Sequence, residues 1–150
     1  MELGTGTGRV GRLLLAAGIM LAALAPAGAD MRIRASKGGQ IGEFLEMFMA
    51  VREAGERVII DGPCLSACTL VLGVVPKDRI CVTPRAVLGF HAAWLPTENG
   101  RAITQPVATR LMMDLYPSEV RSFIRRRGGL NSHLILLRGR ELAALYPQCI

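Results

Sequence analysis

The chain has 150 residues, 51% of them hydrophobic, and a formal net charge of +6. That length suits one globular domain, and the apolar share excludes a disordered chain. The charge is too modest and scattered for a nucleic-acid partner, which calls for a basic face interleaved with aromatic or polar readers.

Arg9 and Arg12 precede an apolar run from Leu13 to Leu24, and Ala27-Gly28-Ala29 supplies small residues at a cleavage position before Asp30. This pattern predicts a secretory signal peptide over residues 1–29 and a single mature domain over 30–150. The apolar run falls short of the roughly 20 residues that span a bilayer. An uncleaved anchor is the alternative, and membrane association is expected only through it. Removing Arg9, Arg12 and Glu2 from 18 basic and 12 acidic residues leaves +5.

Met31 to Ala35 reads as a short strand, closed by Ser36-Lys37-Gly38-Gly39. From Gln40 to Glu53, Ile41, Phe44, Leu45, Phe48 and Val51 recur at intervals of three and four, which predicts an amphipathic helix that Gly55 stops. Val58-Ile59-Ile60 is apolar throughout, as in a strand covered on both faces, and Asp61-Gly62-Pro63 breaks it. Ser66 to Leu72 predicts a buried helix ended by Gly73 and Pro76; Arg79 to Thr83 and Ala86 to Phe90 predict two more strands around Pro84. Pro96 to Gly100 reads as an exposed loop. Gln105 to Leu115 predicts a helix with Val107, Leu111 and Leu115 along one side, and Ser118 is the expected cap of the next, which carries Val120, Phe123 and Ile124. Arg125-Arg126-Arg127 closes that helix as solvated surface beside the Gly128 to Asn131 turn. A short strand or helix edge over Leu134 to Leu137 and a last helix from Gly139 to Leu145 complete an α/β layer architecture.

Four cysteines, Cys64, Cys68, Cys81 and Cys149, lie beyond the predicted cleavage point. In an oxidising compartment they permit two disulfides in three pairings, with one expected to staple the Ser66 turn. No second pair follows at ligand spacing, so neither a metal nor another cofactor is expected. Ser66 follows a strand and a Gly-Pro break and opens a helix, a position that suits a nucleophile and equally an ordinary helix cap. His91, at the end of an apolar strand beside Ala92 and Ala93, has the chemistry of a general base near neutral pH, though such a histidine can be merely structural.

Taken together, these segments resemble the ClpP/crotonase superfamily, and within it a small secreted protein similar to the Clp-type serine proteases. The likeness runs through most of residues 31–94 and is carried by Ser36-Lys37-Gly38-Gly39, by Gly62 to Cys68, and by Ala86-Val87-Leu88-Gly89-Phe90-His91. The 25-residue interval from Ser66 to His91 also matches. The resemblance implies a ClpP/crotonase-like β-α-β layered fold, here short of the family's first strands. It implies Ser66 as nucleophile, His91 as its base, and the N–H groups of Gly38 and Ala67 as the oxyanion hole. It further implies a peptide or protein substrate and a homo-oligomer.

Two departures matter. Lys37 replaces the family's proline and raises a serine-lysine dyad, which His91 makes unnecessary. The third member of the triad falls by register near Asn131, which is not acidic; Asp114 is the nearest carboxylate after the loop, with Glu119 and Glu141 behind it. The reading is a periplasmic or secreted serine hydrolase, with a catalytically inactive peptide- or protein-binding module as the alternative. A crotonase-like acyl-thioester function is disfavoured, because export separates the protein from coenzyme A.

Overall fold

The computed structural model describes residues 29–150, so the predicted signal peptide lies almost wholly outside the described residues. The chain folds as a mixed α/β domain. In order it forms β1 (Met31–Ile33), α1 (Ile41–Glu53), β2 (Val58–Ile60), β3 (Pro63–Leu65), a 3-10 turn (Ser66–Leu70) running into α2 (Val71–Val74), and β4 (Ile80–Val82). There follow β5 (Val87–Phe90), β6 (Trp94–Pro96), β7 (Ala102–Thr104), α3 (Pro106–Leu115), α4 (Ser118–Arg126), β8 (Ile135–Arg138) and α5 (Gly139–Ala143).

Two three-stranded sheets share the same stretches of chain. The first is parallel, in the order β1-β2-β4; the second is β3-β5-β8, with β3 and β5 parallel and β8 antiparallel. After β1, Ser36 bridges Cys64 of β3, so three segments, 31–36, 58–65 and 80–90, run side by side through both sheets. They crease together after Asp61. Backbone bonds cross the crease from Asp61 N–H to the Ile33 carbonyl (2.8 Å), Thr83 N–H to Ile60 (3.0 Å) and Val87 N–H to Gly62 (3.2 Å). A methyl group on Gly62 would sit 1.9 Å from the Arg34 carbonyl oxygen, so the crease admits no side chain there.

Asp61 locks this bend. It is only 5% exposed, and its carboxylate accepts from Arg85 (2.6 and 3.2 Å), Thr83 (2.8 Å) and Arg32 (3.1 Å), residues of the two flanking segments. The Arg85 guanidinium first, then the Thr83 hydroxyl, hold it well below the usual carboxylate range against the opposing effect of burial.

The core lies between the sheets and the helices. Phe48 and Val51 of α1, Leu70 and Val71, Ile60, Leu88 and Leu137 are buried together. Phe90 meets Tyr116 edge-on, ring centres 5.4 Å apart, and Phe123 at 6.4 Å, which anchors α3 and α4 to β5. Gly55, at φ +72°, closes α1 with its N–H on the Arg52 carbonyl, as its place in the sequence predicts. The carboxy-terminal tail returns along the edge of β4, where Val82 N–H donates to the Pro147 carbonyl and Cys149 N–H donates to the Val82 carbonyl, on either side of Gln148. A Cys81–Cys149 disulfide pins it.

The structure corrects several expectations. The stretch expected as a loop from Pro96 to Gly100 is the tip of a β6-β7 hairpin, turned at Thr97 to Gly100. Its strands lie on the surface, so no core pattern marks them. On α3 the expected side of Val107, Leu111 and Leu115 is largely open, Val107 and Leu111 being 75% and 55% exposed, while Met112 is the buried residue. Ser118 does not cap α4; Pro117 occupies the cap position, and the Ser118 hydroxyl donates to Glu119. Gln40 and Leu65 cap their helices without side-chain bonds, so Ser66 is not a cap either.

Candidate active site

Ser66 stands where β3 ends, on a bend that the surrounding chain over-determines. Its φ of +57° makes it the one non-glycine residue with a left-handed backbone among the described residues. Such a conformation costs about 1–3 kcal/mol and persists only when neighbours enforce it. Three constraints do so. A Cys64–Cys68 disulfide brackets the residue two positions to either side. The Ser66 carbonyl accepts from Thr69 Oγ1 at 2.6 Å; since Thr69 spends its proton there, the Tyr116 hydroxyl must donate to Thr69, also at 2.6 Å. Burial pushes the Tyr116 phenol up to about 12, against the lowering effect of the Thr69 bond, so it stays a donor. The third constraint is Gly38.

Gly38, at φ +84°, lies directly on the serine bend: a Cβ there would sit 2.5 Å from Ser66 Cβ, 2.6 Å from the Leu65 carbonyl oxygen and 3.0 Å from Ala67 N. Glycine is required both by the dihedral and by the approach. The Gly38 N–H reaches Ser36 Oγ at 3.3 Å, a long bond. Ala67 N belongs to the first turn of a helical run from 66 to 74, where backbone donors have no intrahelical acceptor. The backbone of Gly38 thus lies against the Ser66–Ala67 turn, with its own N–H turned to Ser36.

His91 follows β5 directly. Its Nδ1 lies 2.7 Å from the Ala92 carbonyl, and because a carbonyl only accepts, Nδ1 carries the proton of the neutral ring and Nε2 is left as the acceptor. Ser66 and His91 line one cavity of about 730 Å3. Lys37, Gly38, Gly39 and the start of α1 line it, together with Trp94, Leu95 and Pro96 of β6 and Val107, Leu111 and Met112 of α3. The exposed apolar residues of α3 are therefore cavity wall. Among the described residues no hydrogen bond joins the Ser66 hydroxyl to His91.

The proposed third residues are not brought to the ring. Asn131 touches the histidine segment through its backbone, its carbonyl accepting from Ala92 N–H at 2.7 Å. Its side chain is engaged elsewhere, donating to the Gly129 carbonyl (3.1 Å) and accepting from His133 N–H (2.8 Å), beside a separate cleft shared with His133 and Arg127. Asp114 is exposed on α3 and does not line the cavity of Ser66. Glu119 is held by Lys77 at 2.8 Å, and Glu141 by Arg127 through two bonds of 2.9 Å. The acceptor at Nδ1 is a backbone carbonyl, a group that no residue pattern announces. Thr69 could have been found: it is the one hydroxyl between Ala67 and Val75, an otherwise apolar stretch, and it is completely buried.

No family model matches the chain, and no curated protein matches it. The site therefore stands on its geometry. Both pairs of cysteines are oxidised, consistent with an oxidising, non-cytoplasmic environment. Among the described residues there is no cluster of three or more His, Cys, Asp or Glu side chains placed to hold a metal ion.

Proposed function

We propose that this protein is an exported serine hydrolase acting on peptides, a periplasmic or secreted relative of the Clp-type proteases within the ClpP/crotonase superfamily. The observation that carries the reading is the enforced left-handed backbone of Ser66 in a cavity it shares with His91. Strain of this kind concentrates at working residues, and here a disulfide, a buried hydroxyl relay and a glycine contact all maintain it. The creased parallel segments and the Gly38 contact support the family likeness.

In this mechanism Ser66 Oγ attacks a peptide carbonyl while His91 Nε2 takes its proton. The N–H groups of Gly38 and Ala67 receive the developing oxyanion. The imidazolium returns the proton to the departing amine, leaving an acyl-serine, and a water activated by the same Nε2 releases the acid and regenerates the hydroxyl. Closure of the Ser66–His91 bond accompanies substrate binding, since such bonds are loose in empty sites. The Ala92 carbonyl fixes the tautomer that an aspartate would fix, but it brings a dipole in place of a full charge, so the imidazolium is less stabilised and turnover is slow. Neither Asn131 nor Asp114 is needed as a side-chain partner.

A fluorophosphonate probe tests the reading. Wild type is expected to be labelled at Ser66, Ser66→Ala not at all, and His91→Ala more than tenfold more slowly. Labelling that Ser66→Ala leaves unchanged would end the hydrolase reading for this site.

The open Ser66–His91 gap favours a second reading, a catalytically inactive module that binds a peptide or protein in the same cavity. Unlabelled wild type that still binds apolar peptides would establish it. Self-association fits either reading, because Trp94, Leu95, Ile103, Val107 and Leu111 are all half or more exposed.

A further inference from the structure

The cavity of Ser66 is polarised, and its polarity specifies one end of the ligand. Its β6 and α3 wall is apolar, with Trp94, Leu95, Val107 and Leu111 at least half exposed. The segment before α1 contributes Lys37, the single charged lysine, arginine, aspartate or glutamate side chain of the lining among the described residues. The carboxylates named above are held away from this cavity: Asp61 by Arg32 and Arg85, Glu119 by Lys77, Glu141 by Arg127. Lys37 makes no ion pair and no side-chain hydrogen bond among the described residues, and no carboxylate lines the cavity with it. It also directly precedes Gly38, the residue whose backbone lies against Ser66, so it enters the cavity lining from the same stretch of chain.

A cation left unpaired in the lining of a largely apolar cavity favours a ligand that brings an anion to that cation and hydrocarbon to the rest. We infer that the cavity takes an apolar chain ending in a carboxylate, with Lys37 reading the carboxylate, and that its source is the free carboxy-terminus of a peptide with apolar side chains. This rests on the cavity proposed above as the substrate site and assigns which substrates it prefers. Lys37 here selects by charge and takes no part in proton transfer.

Binding to the Ser66→Ala protein tests the inference without requiring turnover. Trp94, the only tryptophan of the chain, lines the cavity and reports occupancy by its fluorescence. The probes are an apolar hexapeptide with a free carboxy-terminus and the same peptide as its carboxamide. The carboxylate form is expected to bind about two- to fivefold more tightly at low salt, the range of an exposed ion pair, with the difference fading in about 0.5 M salt. Lys37→Gln abolishes the difference and Lys37→Glu reverses it; both lie on an exposed side chain and leave the fold intact. Equal binding of the two forms, or a preference that survives Lys37→Gln, overturns the inference. Dodecanoate against dodecanol, titrated in the same way, separates a peptide end from a free acyl chain. A carboxylate preference confined to the peptides upholds the assigned source, and one confined to dodecanoate overturns it. Absence of fluorophosphonate labelling in wild type would remove the hydrolase reading while leaving this binding preference intact.

Discussion

At the scale of single residues, Ser66 shows what a side chain can be made to do by its backbone. A glycine there would adopt φ +57° without strain, so Ser66→Gly is expected to stabilise the domain by about 1 kcal/mol while abolishing covalent labelling. Urea denaturation of the two proteins measures it, and a destabilised glycine variant would show that the serine is not strained. The type and spacing of Ser66, His91 and Gly38 were legible in the sequence, because a serine between small residues, a strand-end histidine and a glycine pair each have local meaning. The left-handed bend was not, since it is imposed by Cys68, Thr69 and a tyrosine 50 positions away in sequence. Nor was the partner of Nδ1. Every residue owns a carbonyl, and only the path of the chain through Ala92 turns one toward the ring.

At the scale of elements, the crease after Asp61 decides how the site is presented. It lets β2 end in one sheet and β3, which delivers Ser66, begin in the next. The strand at Val58 to Ile60, the helix of Ile41 to Glu53 and the strand of Val87 to Phe90 follow from apolar runs and helical spacing, signals that survive because each element faces the core. The β6-β7 hairpin gave no such signal: its strands are exposed, and only Asn99-Gly100 marks the turn, with Gly100 at φ +76°. On α3 the apolar spacing was legible but its role was not, since apolar residues that line a cavity repeat like apolar residues that fill a core.

The crease also sets a dependence on pH. Asp61 ionises more readily folded than unfolded, so the folded state holds fewer protons and loses stability as protons are forced on. Its contribution is complete above the unfolded carboxylate value near 4 and is withdrawn as pH falls below it. Asp61→Asn is expected to lower the melting temperature at pH 6 and to flatten its decline between pH 5 and pH 2. Parallel melting curves for wild type and variant over that range, with the same slope, would deny Asp61 this role.

At the scale of the whole molecule, the two disulfides divide their labour by loop length. Cys81–Cys149 closes a separation of 68 residues, and Cys64–Cys68 one of 4. Constraint of the unfolded chain grows with the loop, so replacing Cys81 and Cys149 by alanine is expected to cost about 2–4 kcal/mol, and replacing Cys64 and Cys68 distinctly less. Probe labelling is expected to show the opposite order, lost with the short bridge that holds Ser66 and retained in the folded fraction without the long one. Chemical denaturation and labelling of the two double variants, compared side by side, check both halves; a short bridge worth more to stability than the long one would contradict the division.

Because the same three stretches of backbone thread both sheets, neither can be peeled away while its neighbour stays whole. The domain has no seam along which to open part-way, and the cleft that holds Ser66 is tied to the endurance of the entire body. A domain so built is protected from nicking near that cleft until the whole structure gives way, and its two disulfides suit an oxidising environment in which such endurance counts.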